Sequence, residues 1–560
     1  MSLLEPVAPQ AIPVLATFPV DLHDGEERLF WERDRMHFPG QVLPLEAELV
    51  AAGPGAGLTR AFRLYDLPLR GMLTKVVHGR TYMAAVPLIA PPEELEELGR
   101  RAESKILPVI LGLRDKWERE WLPEIREHID ALEALDLRSA SGEELAAALD
   151  DARDRMARLW DLHMELILPA YMAVSEFDEF YRDLFDGEGF DAYRLLQGLD
   201  NKTVEVGRDL WWLSRVALRS PEVLDVLERE AAADVPGVLA RSEAGRAFLA
   251  ELEIHLAAYG HRCAIWGITQ PSFIEDPSPV VKVLKDYVGR PDADSPAAEV
   301  ARLAAEREAA IARARERLEA YPGPVRAQFE SMLEAAQTGL VLSEDHNFWI
   351  DFYGVDAVRQ VVLQIGRRLA AGGAFDATED VFWLEVDEIR ETARATPFAD
   401  RRALVAARRA QLDAYAAVTP PDAFGTMPAG PPPDGPATRL MAKFGGTPPA
   451  PSSLDEVRGS AGSAGTVTGV ARVVRSLQDA ERLAPGEILV AETTAPPWTP
   501  LFAVAAAVVT DTGGVLSHCA VVAREYGIPA VVGAGSATLL IADSDVVEVD
   551  GDAGTVRIVR

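Results

Sequence analysis

From Pro92 onward the chain sets apolar residues at spacings of three and four against charged ones. EELEELGRRAESKILPVILGLRDKWEREWLPEIREHIDALEAL shows the pattern first, and LAAALDDARDRMARLWDLHMELIL and VARLAAEREAAIARARERLEAY show it again. That period predicts amphipathic helices, so residues 92–418 read as a mostly helical region with no fixed-period repeat. Residues 1–91 differ. TRAFRLYDLPL and GMLTKVVHGRTYMAAVPL carry β-branched and aromatic residues between turn formers, which predicts a small, strand-rich, mixed α/β part.

Residues 419–458 break the pattern, with ten of the 39 prolines falling within 419–451. Proline removes a backbone donor, so this density predicts a linker or extended strap without regular helix or sheet. Beyond it the runs TVTGVARVV, EILVAE, AVAAAVVT, PAVVG, DVVEV and TVRIV alternate with helical pieces such as LQDAERLA and HCAVVAREY. Short strands alternating with short helices predict a compact α/β domain over residues 459–560. The fold class is therefore multidomain: a mostly helical region with a strand-rich N-terminal part, then a small C-terminal α/β domain.

Composition narrows the function. With 56 basic and 88 acidic side chains the net charge is −32, which repels nucleic-acid backbones and anionic lipid surfaces. Hydrophobic residues make up 48% of the 560, which excludes a wholly disordered chain. Cys263 and Cys519 stand far apart, without the spacing of a zinc site or redox pair; no metal ligand set is assigned. The opening MSLLEPVAPQAIPVLATFPVDLHD lacks a basic n-region, and no run reaches the roughly 18 apolar residues of a membrane helix. The expectation is a cytoplasmic protein that binds neither membrane nor nucleic acid.

The segment TDTGGVLSHCAVVAREYGIPAVVG, residues 510–533, carries the chemistry. It reads as a strand ending at Thr510, a turn at Gly513-Gly514 and a helix opening at Ser517-His518. Gly527 then caps that helix and Pro529 starts the next strand. Paired glycines allow close backbone approach, and their N–H groups can face an anion. A histidine at the positive end of a helix suits an imidazole that carries a phosphoryl group. By spacing alone, a histidine filling a tight glycine turn fits equally well.

The full string resembles the phosphohistidine motif of the swivelling domain in PEP-utilising enzymes, the family of PEP synthase, pyruvate phosphate dikinase and rifampin phosphotransferase. That pattern runs T-D-x-G-G-x-x-S-H-x-A-x-x-A-R-E-x-G-I-P-A-V-V-G. GEILVAETTAPPWTPLF and VVEVDGDAGTVRIV are similar to the same domain. The resemblance implies that His518 is the phosphorylated residue and that Thr512, Gly513, Gly514 and Ser517 bind the phosphoryl group. It extends upstream more weakly. FWERDRMHFPGQVLPL, LAAYGHRCAIWGITQPSFIEDP, LVLSEDHNFWIDFYGVDAVRQ and GAFDATEDVFWLEVDEI resemble successive segments of the substrate-binding region. They imply substrate contacts from His261, Arg262, Glu344, Asp345 and Trp349.

Two departures matter. Ser343 stands where the family often has arginine, and Glu344-Asp345-His346 follows, with Asp351 further on. A carboxylate-oriented His346 could take the proton from an acceptor hydroxyl; a structural pairing is the alternative. His261-Arg262 is either a phosphate-facing pair or an ordinary polar contact, and Trp266, Phe273, Phe348 and Trp349 line an acceptor pocket or simply fill the core. The second departure is that substrate-region similarity starts near residue 29, which leaves no room for an ATP-grasp domain before it. The chain ends at Arg560, where PEP synthase continues into its PEP-binding barrel. This layout resembles the histidine-bearing subunit of phenylphosphate synthase. It implies a separate ATP-grasp subunit that uses Mg²⁺ and ATP to load His518, and a phenol or cresol-like acceptor. The alternatives are an antibiotic or natural-product O-phosphotransferase, and a phosphoryl carrier or regulatory protein without small-molecule turnover.

Overall fold

The computed structural model describes residues 10–185, 190–263, 266–428, 436–446, 455–475, 479, 482–494 and 498–559. The chain forms two compact units. One comprises Met1–Pro169, Trp266–Thr269 and Trp349–Pro433, and the other Ala170–Ile265, Gln270–Phe348 and Asp434–Arg560. The 44-residue helix Gly142–Phe185, with Pro169 inside it, contributes to both. Among the described residues no helix is long and apolar enough to cross a membrane.

The first unit holds a sheet of β1 (Gln10–Ile12), β2 (Phe30–Arg33), β3 (Leu69–Val77), β4 (Arg80–Pro87) and β5 (Ala423–Met427), in the order β1-β5-β2-β4-β3. Its core gathers Phe18, Trp31, Tyr82 and Phe424. Two expectations are corrected here. Residues 59–64 of TRAFRLYDLPL belong to the helix Gly53–Leu64, whose Ala61 and Phe62 are buried; β3 begins only at Leu69. The proline-rich stretch is not free of regular structure either. Pro420, Pro421 and Pro428 flank β5 rather than interrupt it, and its Gly425, at φ 96°, passes so close to Leu29 that a Cβ would lie 2.0 Å from that carbonyl. A ten-residue helix, Pro436–Gly445, follows. Its only proline is the first residue, in the first turn, where a backbone N–H has no acceptor within the helix.

In the second unit the helices Lys202–Ala217, Glu243–Tyr259 and Ser278–Val288 enclose a core of Leu210, Leu213, Phe248, Leu252, Leu284 and Tyr287. Side-chain caps set where two of them start. Asn201 accepts the Val204 N–H at 2.9 Å and Ser242 accepts the Gly245 N–H at 2.9 Å. The helices Pro296–Leu318 and Gly323–His346 follow.

The C-terminal part of this unit is an eight-stranded sheet: β6 (Glu456–Arg458), β7 (Ser460–Ser463), β8 (Thr466–Val473), β9 (Ile488–Ala491), β10 (Ala507–Thr510), β11 (Ala530–Val532), β12 (Val546–Asp550) and β13 (Thr555–Val559). Its order is β6-β13-β12-β8-β9-β10-β11-β7. Strands β8 to β11 pair in parallel, the rest antiparallel. The apolar runs expected to be strands are strands, while half of LQDAERLA lies outside the described residues. Along β10, Val508 faces a layer containing Ala520 and Ala523, whereas Ala507 and Val509 face Val547, Val549 and Val556. Burial on both faces is what a continuous apolar run in a parallel strand requires. The loop beyond the carboxyl end of β10 is then where a site is expected.

Candidate functional site

That loop runs from Asp511 to Ser517 and delivers His518 as the first residue of the helix His518–Glu525. Gly513 sits at φ 95° and Gly527 at φ 60°, so both glycines occupy left-handed positions, one in the turn and one ending the helix. A Cβ on Gly513 would lie 2.9 Å from the Ser517 hydroxyl oxygen. Ser517 is the N-cap residue, yet its hydroxyl caps nothing; the side chain is buried and its oxygen has no hydrogen-bond partner. Arg524, on the last turn, donates back to the carbonyl of Val515 and so ties the helix to the loop that precedes it.

The loop's backbone donors are arranged differently from the expectation that they face an anion. Thr512 gives both its N–H and its hydroxyl to the carbonyl of Glu492, each at 3.0 Å. Gly514 donates its N–H to the carbonyl of Phe444 at 2.7 Å, and Leu516 to that of Lys443 at 2.9 Å. Among the side chains of the four residues assigned to phosphoryl binding, that of Ser517 is left buried with its hydroxyl oxygen unpartnered.

His518 is met by the end of another helix in the same unit. Its Nδ1 stands 3.4 Å from Oε1 of Glu344, a side chain 2% exposed. The Thr203 hydroxyl donates to the other Glu344 oxygen at 2.8 Å. Burial pushes the Glu344 carboxyl upward, but the His518 imidazole, the Thr203 hydroxyl and the Arg262 charge outweigh it and hold the group below the ordinary glutamate range. A carboxylate facing Nδ1 places the ring proton there and leaves the lone pair on Nε2. The Phe502 ring stands edge-on at 6.4 Å. Arg262, buried in this unit, and Lys202, whose ammonium pairs with Glu205 at 2.8 Å, approach the Phe348 ring at 5.9 and 5.4 Å.

At the far end of the His518 helix, Glu525 is buried and bonded to the side chain of Asn201. Burial, with Glu344 and Asp345 nearby, raises its carboxyl well above the usual range against the pull of Asn201 and Arg524. Asp345 has a structural duty: it accepts the Lys202 N–H at 2.8 Å, supplementing the cap of Lys202–Ala217, and burial pushes it up to about 6. His346 is 2% exposed, and its Nδ1–H donates to the Leu342 carbonyl at 2.7 Å, which leaves Nε2 as the basic nitrogen. Within the first unit, Asp351 pairs with His163 at 2.9 Å. His261 stands half-buried at the turn after Glu243–Tyr259.

The aromatic candidates divide between the units. Phe273 and Phe348 belong to the second. Trp349 belongs to the first, stacked on Tyr353 with ring centroids 5.8 Å apart. Trp266, also in the first unit, packs against Phe38 and Trp160 and donates to the Asp351 carbonyl at 3.0 Å. The sequence reading missed Asn201, Lys202, Thr203 and Glu525. A usable signal existed for Asn201, which precedes a periodic run as an N-cap does, and for Glu525, a charge among the apolar residues of HCAVVARE.

Comparison with known proteins adds to this geometry. Residues 163–344 match the fourth domain of rifampicin phosphotransferase, and residues 483–554 match the mobile domain of PEP-utilising enzymes. Chondramide synthase cmdD of Chondromyces crocatus is 38% identical over 98% of this chain, which covers 14% of that protein. Rifampicin phosphotransferase of Streptomyces sviceus is 31% identical over 94% of the chain and 58% of its own length. The uncharacterized phosphotransferase YvkC of Bacillus subtilis (strain 168) is 26% identical over 96% of the chain and 62% of its own length. The chain thus spans less than two thirds of each of these curated relatives.

Proposed function

Because this chain belongs to the PEP-utilising enzyme family, we propose that it is a phosphotransferase in which His518 carries a phosphoryl group from ATP to a hydroxyl of a small molecule. The observation that carries this reading is the pairing of His518 Nδ1 with the buried Glu344 carboxylate. It presents Nε2 as a nucleophile without the ring having to change tautomer.

In the loading half-reaction the Nε2 lone pair attacks the β-phosphorus of ATP. The bond from that phosphorus to the AMP oxygen breaks, the oxygen keeps the electron pair, and water removes the γ-phosphoryl group as phosphate. A separate ATP-grasp subunit is proposed to hold ATP and Mg²⁺; no residue of this chain is assigned to either. In the discharging half-reaction the acceptor oxygen attacks phosphorus, the P–Nε2 bond breaks, and its electron pair returns to the imidazole. The hydroxyl proton passes to Nε2 of His346, the proposed general base. Arg262, Lys202 and the Ser517 hydroxyl supply the positive and donor groups that offset phosphoryl charge. The C-terminal domain is proposed to swivel between the two half-reactions.

A phenol or cresol-like alcohol is one acceptor class. The names of two relatives, a chondramide synthase and a rifampicin phosphotransferase, favour a natural-product hydroxyl as the second. The test is to load the full chain with β-labelled ATP and an ATP-grasp partner, then challenge it with both classes of alcohol. Label should move from protein to one of them. Label that leaves only for another protein would replace this reading with a phosphoryl carrier.

A further inference from the structure

The donors taken up at the phosphohistidine loop lead to one helix. Gly514 and Leu516 point their N–H groups at the carbonyls of Phe444 and Lys443, in the last turn of Pro436–Gly445. That helix is pinned by its lysine. The Lys443 ammonium lies 2.8 Å from Asp178 and 2.8 Å from Glu179, and donates to the Ser175 carbonyl at 3.1 Å, all on the long helix of the same unit. The Asp178 side chain is 0% exposed. The Phe444 ring packs at 5.4 Å from that of Tyr171.

The seat is shaped by glycines. A Cβ on Gly514 would stand 2.2 Å from the Lys443 carbonyl, and one on Gly446 or Gly533 would stand 2.5 Å from the Gly513 carbonyl. Part of the glycine pair in the motif therefore serves to admit this helix. The carbonyls it presents form the negative end of a helix, and they occupy N–H groups two and four residues before His518. A phosphoryl group on His518 would bring a strong anionic acceptor to the same loop. Hydrogen bonds to an ionised acceptor are roughly twice as strong as neutral ones.

We infer that Pro436–Gly445 is a strap, seated while His518 is bare and displaced when His518 is phosphorylated, so that the N–H groups of Gly514 and Leu516 turn to the phosphoryl oxygens beside the Ser517 hydroxyl. This rests on the reading of His518 as the phosphorylated residue. Lys443 is then a positioning residue, acting through the strap rather than on the phosphorus.

The test loads the full chain without any partner. Potassium phosphoramidate phosphorylates histidine: the Nε2–P bond forms, the P–N bond of the reagent breaks, and ammonia leaves. Hydrogen exchange over residues 439–446 is compared before and after, with His518→Gln treated in parallel. Exchange in the strap should rise at least about tenfold on phosphorylation, the scale of losing one hydrogen bond, and should not change in His518→Gln. Lys443→Met, checked for native melting, should raise strap exchange in the bare protein and leave little further rise on phosphorylation. Acid-labile phosphate on His518 with unchanged strap exchange would overturn the strap alone. Failure to label His518 would overturn the strap and the carrier reading together.

Discussion

One loop places His518, Asp511 to Ser517, whereas the groups facing it come from separate helix ends: Asn201, which bonds Glu525 of its helix, and Thr203, which bonds Glu344, from one, and Glu344, which meets its imidazole, from another. The difference follows from how each fold can present a side chain. In a parallel sheet the strand, turn and helix are consecutive, so a nucleophile and its backbone setting fit in one short string. Helices expose side chains toward a shared centre only where several of them end, so the facing site is assembled from distant segments. Thr203 and Glu344 are 141 residues apart, and Asn201 and Glu525 are 324 apart.

The largest break in this comparison is on the loop side. His518→Ala should abolish phosphoryl incorporation entirely, read as acid-labile label on the protein. Melting should show a loss of about 1–3 kcal/mol, because one oxygen of the buried Glu344 carboxylate loses its partner while Thr203 keeps the other. Labelling retained in this variant would remove His518 from the mechanism.

The helical side should affect transfer without affecting loading. His346→Gln is expected to leave the labelling of His518 intact and slow its discharge to the acceptor by about 10²–10⁴, the usual worth of general-base catalysis. Unchanged discharge would give His346 the structural role its bond to Leu342 already provides.

The seam between the two sides should be pH-dependent. The Glu525 carboxyl is raised by burial and by Glu344 and Asp345, so its contribution is fully present below the ordinary glutamate range and lost as pH rises through the elevated value. Glu525→Gln should flatten the decline in stability that the unmodified chain shows with rising pH in denaturant titrations; an unaltered slope would exclude Glu525 as its source. The smallest effect is Asn201→Ala, which removes a helix cap and the Glu525 partner, and should cost about 1–2 kcal/mol in the same titrations.

The two sides also differ in how far the sequence could be read. The strand ending at Thr510, the glycine turn, the helix from His518 and its stop at Gly527 were all legible, because each depends on neighbours in the chain. The role of Gly514 was not, since the carbonyl that takes its N–H belongs to Phe444, across a proline-rich segment. Proline density misled there: averaged over a window it hid AFGTM, a proline-free stretch long enough for a strand, and a helix whose only proline stands at its first position. Adjacency misled at Phe348 and Trp349, neighbours in sequence that belong to different compact units.

The most direct test of the account is the location of the phosphate. The full chain, loaded from β-labelled ATP by an ATP-grasp partner, would be digested under mildly alkaline conditions and its phosphopeptide sequenced by mass spectrometry. Acid-labile, alkali-stable phosphate is expected on His518. Acid-stable phosphate on the neighbouring Ser517, or labile phosphate on any other histidine, would contradict it.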